Sequence, residues 1–79
     1  MSDQKLRRKI AYAIYMLRTQ RNDLRITKQD LADDVGISTK YLYELENGKK
    51  MPSLEIVANI AEAFNMKLSD FCKLIEEQE

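Results

Sequence analysis

Residues 27–53 read TKQDLADDVGISTKYLYELENGKKMPS. Two short helices are written here, separated by one tight break and followed by a basic turn. Each opens with the same device. Ile26-Thr27 and Ile37-Ser38 set an apolar residue before a hydroxyl N-cap, and Leu31 and Leu42 fall at the fourth helical position of each. This is a hydrophobic staple used twice. Gly36 directly follows Val35, where a left-handed helix stop favours a residue without Cβ. Asn47-Gly48 stops the second helix, and Pro52-Ser53 resets the chain for a further one.

Two capped helices of about two turns with a Gly-containing connection form a helix-turn-helix pattern, whose second helix can enter a DNA major groove. The flanking sequence is helical as well, with no strand alternation. Leu6, Ile10, Ala13, Ile14 and Leu17 repeat at helical spacing, which predicts a first helix from about residue 4 to Asn22. Leu31, Ala32 and Val35 are expected inside on the second helix, and Leu42 and Leu45 on the third. Leu54, Val57, Ala61 and Phe64 form the stripe of a fourth. A fifth is predicted to start at Ser69 as N-cap, with Asp70 in its first turn favouring the helix dipole. Leu68, Phe71, Cys72, Leu74 and Ile75 give it a wide apolar face.

The chain has 79 residues, 44% apolar and 33% charged, which suits one compact domain over 1–79 and supplies a core. The motif occupies about 27–47, and helices four and five about 53–77. With Cys72 as the lone cysteine and no histidine, neither an intramolecular disulfide nor a zinc ligand set is available. No apolar run approaches the roughly 20 residues of a membrane span, and the N-terminus lacks a signal-peptide pattern. The expected setting is a reducing cytoplasm. Enzyme chemistry is disfavoured, since there is no histidine, no phosphate-binding Gly-rich loop and no nucleophile–base pair. No cofactor, metal, membrane or small-molecule ligand is implied.

Thirteen basic and 13 acidic residues cancel overall, yet their distribution is uneven. Residues 1–50 carry 11 Lys/Arg and 7 Asp/Glu, a net of +4, whereas residues 51–79 carry 2 and 6, a net of −4. A dipolar chain of this kind can turn its N-terminal part toward phosphates. Chance asymmetry of a small helical protein is the bland alternative.

At Leu31-Ala32, Gly36-Ile37-Ser38, Tyr41-Leu42, Leu45-Glu46-Asn47-Gly48-Lys49, Pro52-Ser53-Leu54 and Ile60-Ala61-Glu62-Ala63-Phe64, the chain resembles the Cro/C1-type (Xre-type) helix-turn-helix family, over about residues 8–75. Its length and five-helix plan also resemble restriction–modification controller proteins and small phage-type repressors, less specifically. The resemblance implies an all-α, compact five-helix, lambda-repressor-like DNA-binding domain with the motif at helices two and three. There are two departures. Asn22-Asp23-Leu24-Arg25 stands where the family has a short Gly-containing turn, so Asn22 reads as a left-handed cap followed by an insertion of about three residues. The family's glutamine after the second helix's N-cap is replaced by Lys28, or displaced to Gln29; Lys28 can serve phosphate as a point charge.

With about 100° per residue, Leu42 and Leu45 define the inner side of the third helix, so Lys40, Tyr43 and Glu44 point outward and Thr39 and Tyr41 flank them. The resembled family places its DNA contacts at these positions. Lys40 can donate to guanine O6 or N7, Thr39 can touch a thymine methyl or phosphate, and Glu44 can accept from cytosine N4. Tyr43 offers a ring for thymine methyls, and Tyr41 a hydroxyl for phosphate. Tyr41 at the edge of the core and Glu44 as a solvated residue are the structural alternatives. Thr27 and Lys28 at the start of the second helix, with Lys49 and Lys50 after the Asn47-Gly48 turn, form two candidate phosphate clamps bracketing the reading helix. Lys5, Arg7, Arg8 and Lys9 read as a solvated helix face.

Glu46 lies toward the inner edge of the third helix, and the resembled family pairs this glutamate with an arginine of the first. The insertion alignment selects Arg18, with Arg21 as the alternative. One small recognition unit reads few base pairs, so a homodimer on a pseudo-palindromic operator is expected. Helices four and five hold more apolar positions than one core stripe needs, and Ile56 and Leu74 are the expected dimer contacts. The resulting reading is a sequence-specific transcriptional regulator of double-stranded DNA. An antitoxin or bridging module using the same fold to hold a protein is the alternative.

Overall fold

A computed structural model of the chain describes residues 3–20 and 26–78. The described residues form five helices and no strand: α1 Asp3–Gln20, α2 Lys28–Val35, α3 Thr39–Glu46, α4 Leu54–Ala63 and α5 Leu68–Glu76. The proposed cap at Asn22, the insertion through Arg25 and the alternative partner Arg21 lie outside the described residues.

Local chemistry sets most of the boundaries. The hydroxyls of Thr27, Ser38 and Ser53 accept from the backbone N–H of Asp30, Tyr41 and Ile56 at 3.1, 3.0 and 3.1 Å. Each satisfies one donor that the first helical turn leaves free. The apolar residues before the first two caps, Ile26 and Ile37, pack against the core as the staple requires.

Three helices stop alike. Gly36, Gly48 and Asn65 have φ of 85°, 70° and 59°, in the left-handed region. The N–H of the next residue then returns to a carbonyl five positions back: Ile37 to Ala32 at 3.0 Å, Lys49 to Glu44 at 2.9 Å and Met66 to Ala61 at 2.9 Å. Orphan carbonyls are closed in this way at the end of α2, α3 and α4. Asparagine holds the third of these turns because its short polar side chain tolerates the conformation.

The expected Ser69 cap for the fifth helix is corrected. Lys67 is the N-cap, without a side-chain hydrogen bond, and Ser69 lies inside α5. An early start places Leu68 on the face of Phe71 and Ile75 and packs it against the core. That apolar burial outweighs a hydroxyl cap, which contributes about 1 kcal/mol. Asp70 still falls in the first turn.

The core is a single cluster of Ile10, Ala13, Ile14, Leu31, Ala32, Val35, Leu42, Leu45, Val57, Ile60, Ala61, Phe64, Phe71 and Ile75. It is reached by α1 packing on α3 and α5, α2 on α3 and α4, and α4 on α5. Two expected core positions fail. Leu6 is 47% exposed and Leu54 69% exposed, although both have the helical phase of their stripes. Both stand in the first turns of their helices and line one open groove that no other element fills among the described residues.

Candidate nucleic-acid interface

Helix α3 is anchored from below by Leu42 and Leu45, at 0% and 1% exposure. Its opposite side is therefore presented to solvent at fixed phase. Thr39, Lys40 and Tyr43 are exposed there, as expected for a reading surface. Glu44 is only half-buried rather than fully outward, and Tyr41 is half-buried against the core edge. The Tyr41 side chain packs at the edge of the core. At the far end, the Tyr43 carbonyl accepts from Asn47 Nδ2 at 2.7 Å and from the Asn47 N–H at 3.1 Å. These bonds tighten the last turn before Gly48.

The two candidate clamps stand at the two chain connections of the motif. Thr27 is exposed and its hydroxyl oxygen is engaged in capping α2; its own O–H remains able to donate. Lys28 is half-buried, and its Nζ lies 5.0 Å from the centroid of the Tyr43 ring. Sequence reasoning missed this pairing, because residues 28 and 43 share no periodicity and meet only when α2 and α3 cross. Lys49 and Lys50 are exposed beyond the left-handed Gly48. A Cβ on Gly48 would stand 3.7 Å from Arg8 Cγ, so Arg8 of α1 lies beside the second clamp. Lys5 and Arg8 are exposed, and Arg7 and Lys9 half-buried.

Arg18 and Glu46 are joined. Arg18 Nε donates to Glu46 Oε2 at 2.7 Å and its Nη2 to Oε1 at 2.9 Å, a two-bond fork between α1 and α3. The side chains are 13% and 3% exposed. The Arg18 guanidinium carbon also lies 5.8 Å from the Tyr15 ring centroid, which covers part of the cation.

Residues 17–71 match the family described as Helix-turn-helix. The chain belongs to the Cro/C1-type helix-turn-helix family. The relatives named below are transcriptional or gene regulators, and this helix-turn-helix chain is a DNA-binding transcriptional regulator, not an enzyme. It is 36% identical over 58 residues to an uncharacterized HTH-type transcriptional regulator of Archaeoglobus fulgidus, covering 73% of this chain and 82% of that one. It is 30% identical over 56 residues to the cryptic phage CTXphi transcriptional repressor RstR of Vibrio cholerae, covering 71% of this chain and 50% of that one. The fold is similar to that of the clp gene regulator ClgR from Corynebacterium glutamicum, with a TM-score of 0.79 at 28% identity, over 90% of this chain and 72% of that one.

The expected dimer contacts lie on α4 and α5, outside the helix-turn-helix pair. Ile56 and Leu74 are half-buried and pack against the core. More exposed apolar surface is carried by Leu6, Met51 and Leu54, which line a groove with Cys72. The signal for it in the sequence was Met51 and Leu54 on either side of Pro52-Ser53, a connection otherwise expected to be polar. No helix among the described residues is long and apolar enough to cross a membrane.

Proposed function

We propose that the chain regulates transcription as a cytoplasmic homodimer that binds a pseudo-palindromic operator in double-stranded DNA. In this reading α3 enters the major groove. Thr39, Lys40, Tyr43 and Glu44 read base edges, Lys40 donating to guanine and Glu44 accepting from cytosine. Thr27, Lys28, Tyr41, Lys49 and Lys50 hold phosphates on either side and set the helix in register. The Arg18–Glu46 fork keeps α3 aligned on α1. Ile56 and Leu74 contribute to an isologous contact between two copies.

The observation that carries the reading is the exposed Thr39–Lys40–Tyr43 surface of a buried-backed helix, with Lys28 of α2 beside Tyr43 and Lys49 and Lys50 just beyond the helix's C-terminal end. Anchored from below and flanked by lysines, such a helix can enter a groove without unfolding its neighbours. Two copies related by a two-fold axis would place their reading helices roughly 34 Å apart, one turn of DNA.

Selection of bound duplexes from a random pool tests this directly. A symmetric motif with half-sites one helical turn apart is the expected result. Recovery of no enriched sequence, or of a single asymmetric half-site bound by a monomer, would overturn the operator and dimer parts.

A further inference from the structure

Lys28 is the first residue of α2 and Tyr43 the fifth of α3, yet the Lys28 ammonium stands 5.0 Å from the Tyr43 ring centroid. That is within the range in which a ring face attracts a cation. Lys28 makes no ion pair among the described residues. Its stem is half-buried while the tyrosine is 50% exposed, so the cation rests on the solvent side of the reading helix. A free lysine spreads its charge over many rotamers, and binding a phosphate must then freeze them. A ring face occupies one side of an ammonium and leaves N–H donors on the other side open. The same stacking covers part of the ring face that a thymine methyl would need.

We propose that Tyr43 is a positioning residue for Lys28: its ring holds the ammonium at the surface of α3, so that Lys28 meets a phosphate already oriented. This rests on the DNA reading above, and it shifts the main role of Tyr43 from base recognition to support of a phosphate contact. Three consequences separate the two roles. Tyr43→Leu removes the ring and weakens binding to cognate and altered duplexes alike, by about two- to fivefold, the scale of an exposed cation–π contact. Tyr43→Phe keeps the ring and with it the Lys28 ammonium in place, so its uniform loss is smaller than that of Tyr43→Leu. Adding Tyr43→Leu to Lys28→Met produces little further loss, because the ring then has no ammonium to position.

The experiment combines a readout on the free protein with one on the complex. In the free protein, NMR of the Lys28 ε-methylene should show an upfield ring-current displacement in wild type and Tyr43→Phe, and its loss in Tyr43→Leu. In complex, the salt dependence of duplex binding should fall by about one unit of slope in Lys28→Met and by clearly less in Tyr43→Leu, which keeps the cation, with the double variant no lower than Lys28→Met. An unshifted ε-methylene in wild type, or strictly additive losses in the double variant, overturns the positioning role while leaving DNA binding intact. Tyr43→Leu that changes only the discrimination between sites restores Tyr43 as a base reader and overturns it too. A wild-type chain that binds no duplex overturns this proposal together with the DNA reading.

Discussion

Arg18 and Glu46 face each other across 28 residues of sequence in a two-bond fork, at 2.7 and 2.9 Å, with the glutamate side chain 3% exposed. Their geometry ties the last turn of α1 to the last residue of α3. A pair so placed contributes little net stability, since desolvation opposes the attraction, but breaking it leaves a carboxylate buried without a partner.

Arg18→Met is therefore expected to destabilise the fold by about 3–5 kcal/mol. Arg18→Met combined with Glu46→Leu should regain most of that loss, because no charge is stranded. Urea titrations of the two variants check the order. A single variant as stable as wild type would show that water reaches Glu46 and that the fork has no structural weight.

Lys40 and Lys49 should fail in different ways. Lys40→Ala is expected to reduce discrimination between cognate and altered sites by about 1–3 kcal/mol, if its base contact is bidentate. Lys49→Ala should weaken binding to every sequence and lower the salt slope by about one unit. Titrations with both duplexes at several salt concentrations separate the two. Unchanged affinity and slope in both variants would mean that α3 presents another face to the groove.

Leu74→Asp and Ile56→Asp test assembly. Each introduces a charge that a dimer contact would have to bury, so the expected product is a folded monomer with much weaker operator binding. Light scattering measured beside circular dichroism distinguishes dissociation from unfolding. Because both side chains also pack against the core, loss of helicity in both variants would assign them to the protomer alone.

Asn65 offers a test of the turn that ends α4. With φ at 59°, replacement by alanine puts a Cβ in a left-handed conformation without the compensating polar side chain, at a cost of about 1 kcal/mol. Asn65→Gly should be near neutral. Thermal melts of the two variants compare them; equal melting temperatures would mean that the turn relaxes away from the left-handed region.

The sequence alone determined what depends on neighbours along the chain. Thr27, Ser38 and Ser53 cap helices because their hydroxyls reach a backbone N–H three residues on, and Gly36 and Gly48 end helices because they lack a Cβ. Helical phase likewise put Leu31, Leu42, Leu45, Val57 and Phe64 inside, and Thr39, Lys40 and Tyr43 outside. The match of Glu46 to Arg18 was legible only through family resemblance, since no local rule links positions 28 residues apart. Tertiary packing decided the rest. Leu6 and Leu54 have core phase but line an open groove, and Leu68 draws the start of α5 past its nearest hydroxyl. Tyr41 packs at the core edge and Glu44 is partly covered, and Lys28 finds the Tyr43 ring only where α2 crosses α3. Periodicity states which way a side chain points from its own axis. Whether anything stands there to meet it is set by how the other helices dock, and that is a property of the whole fold.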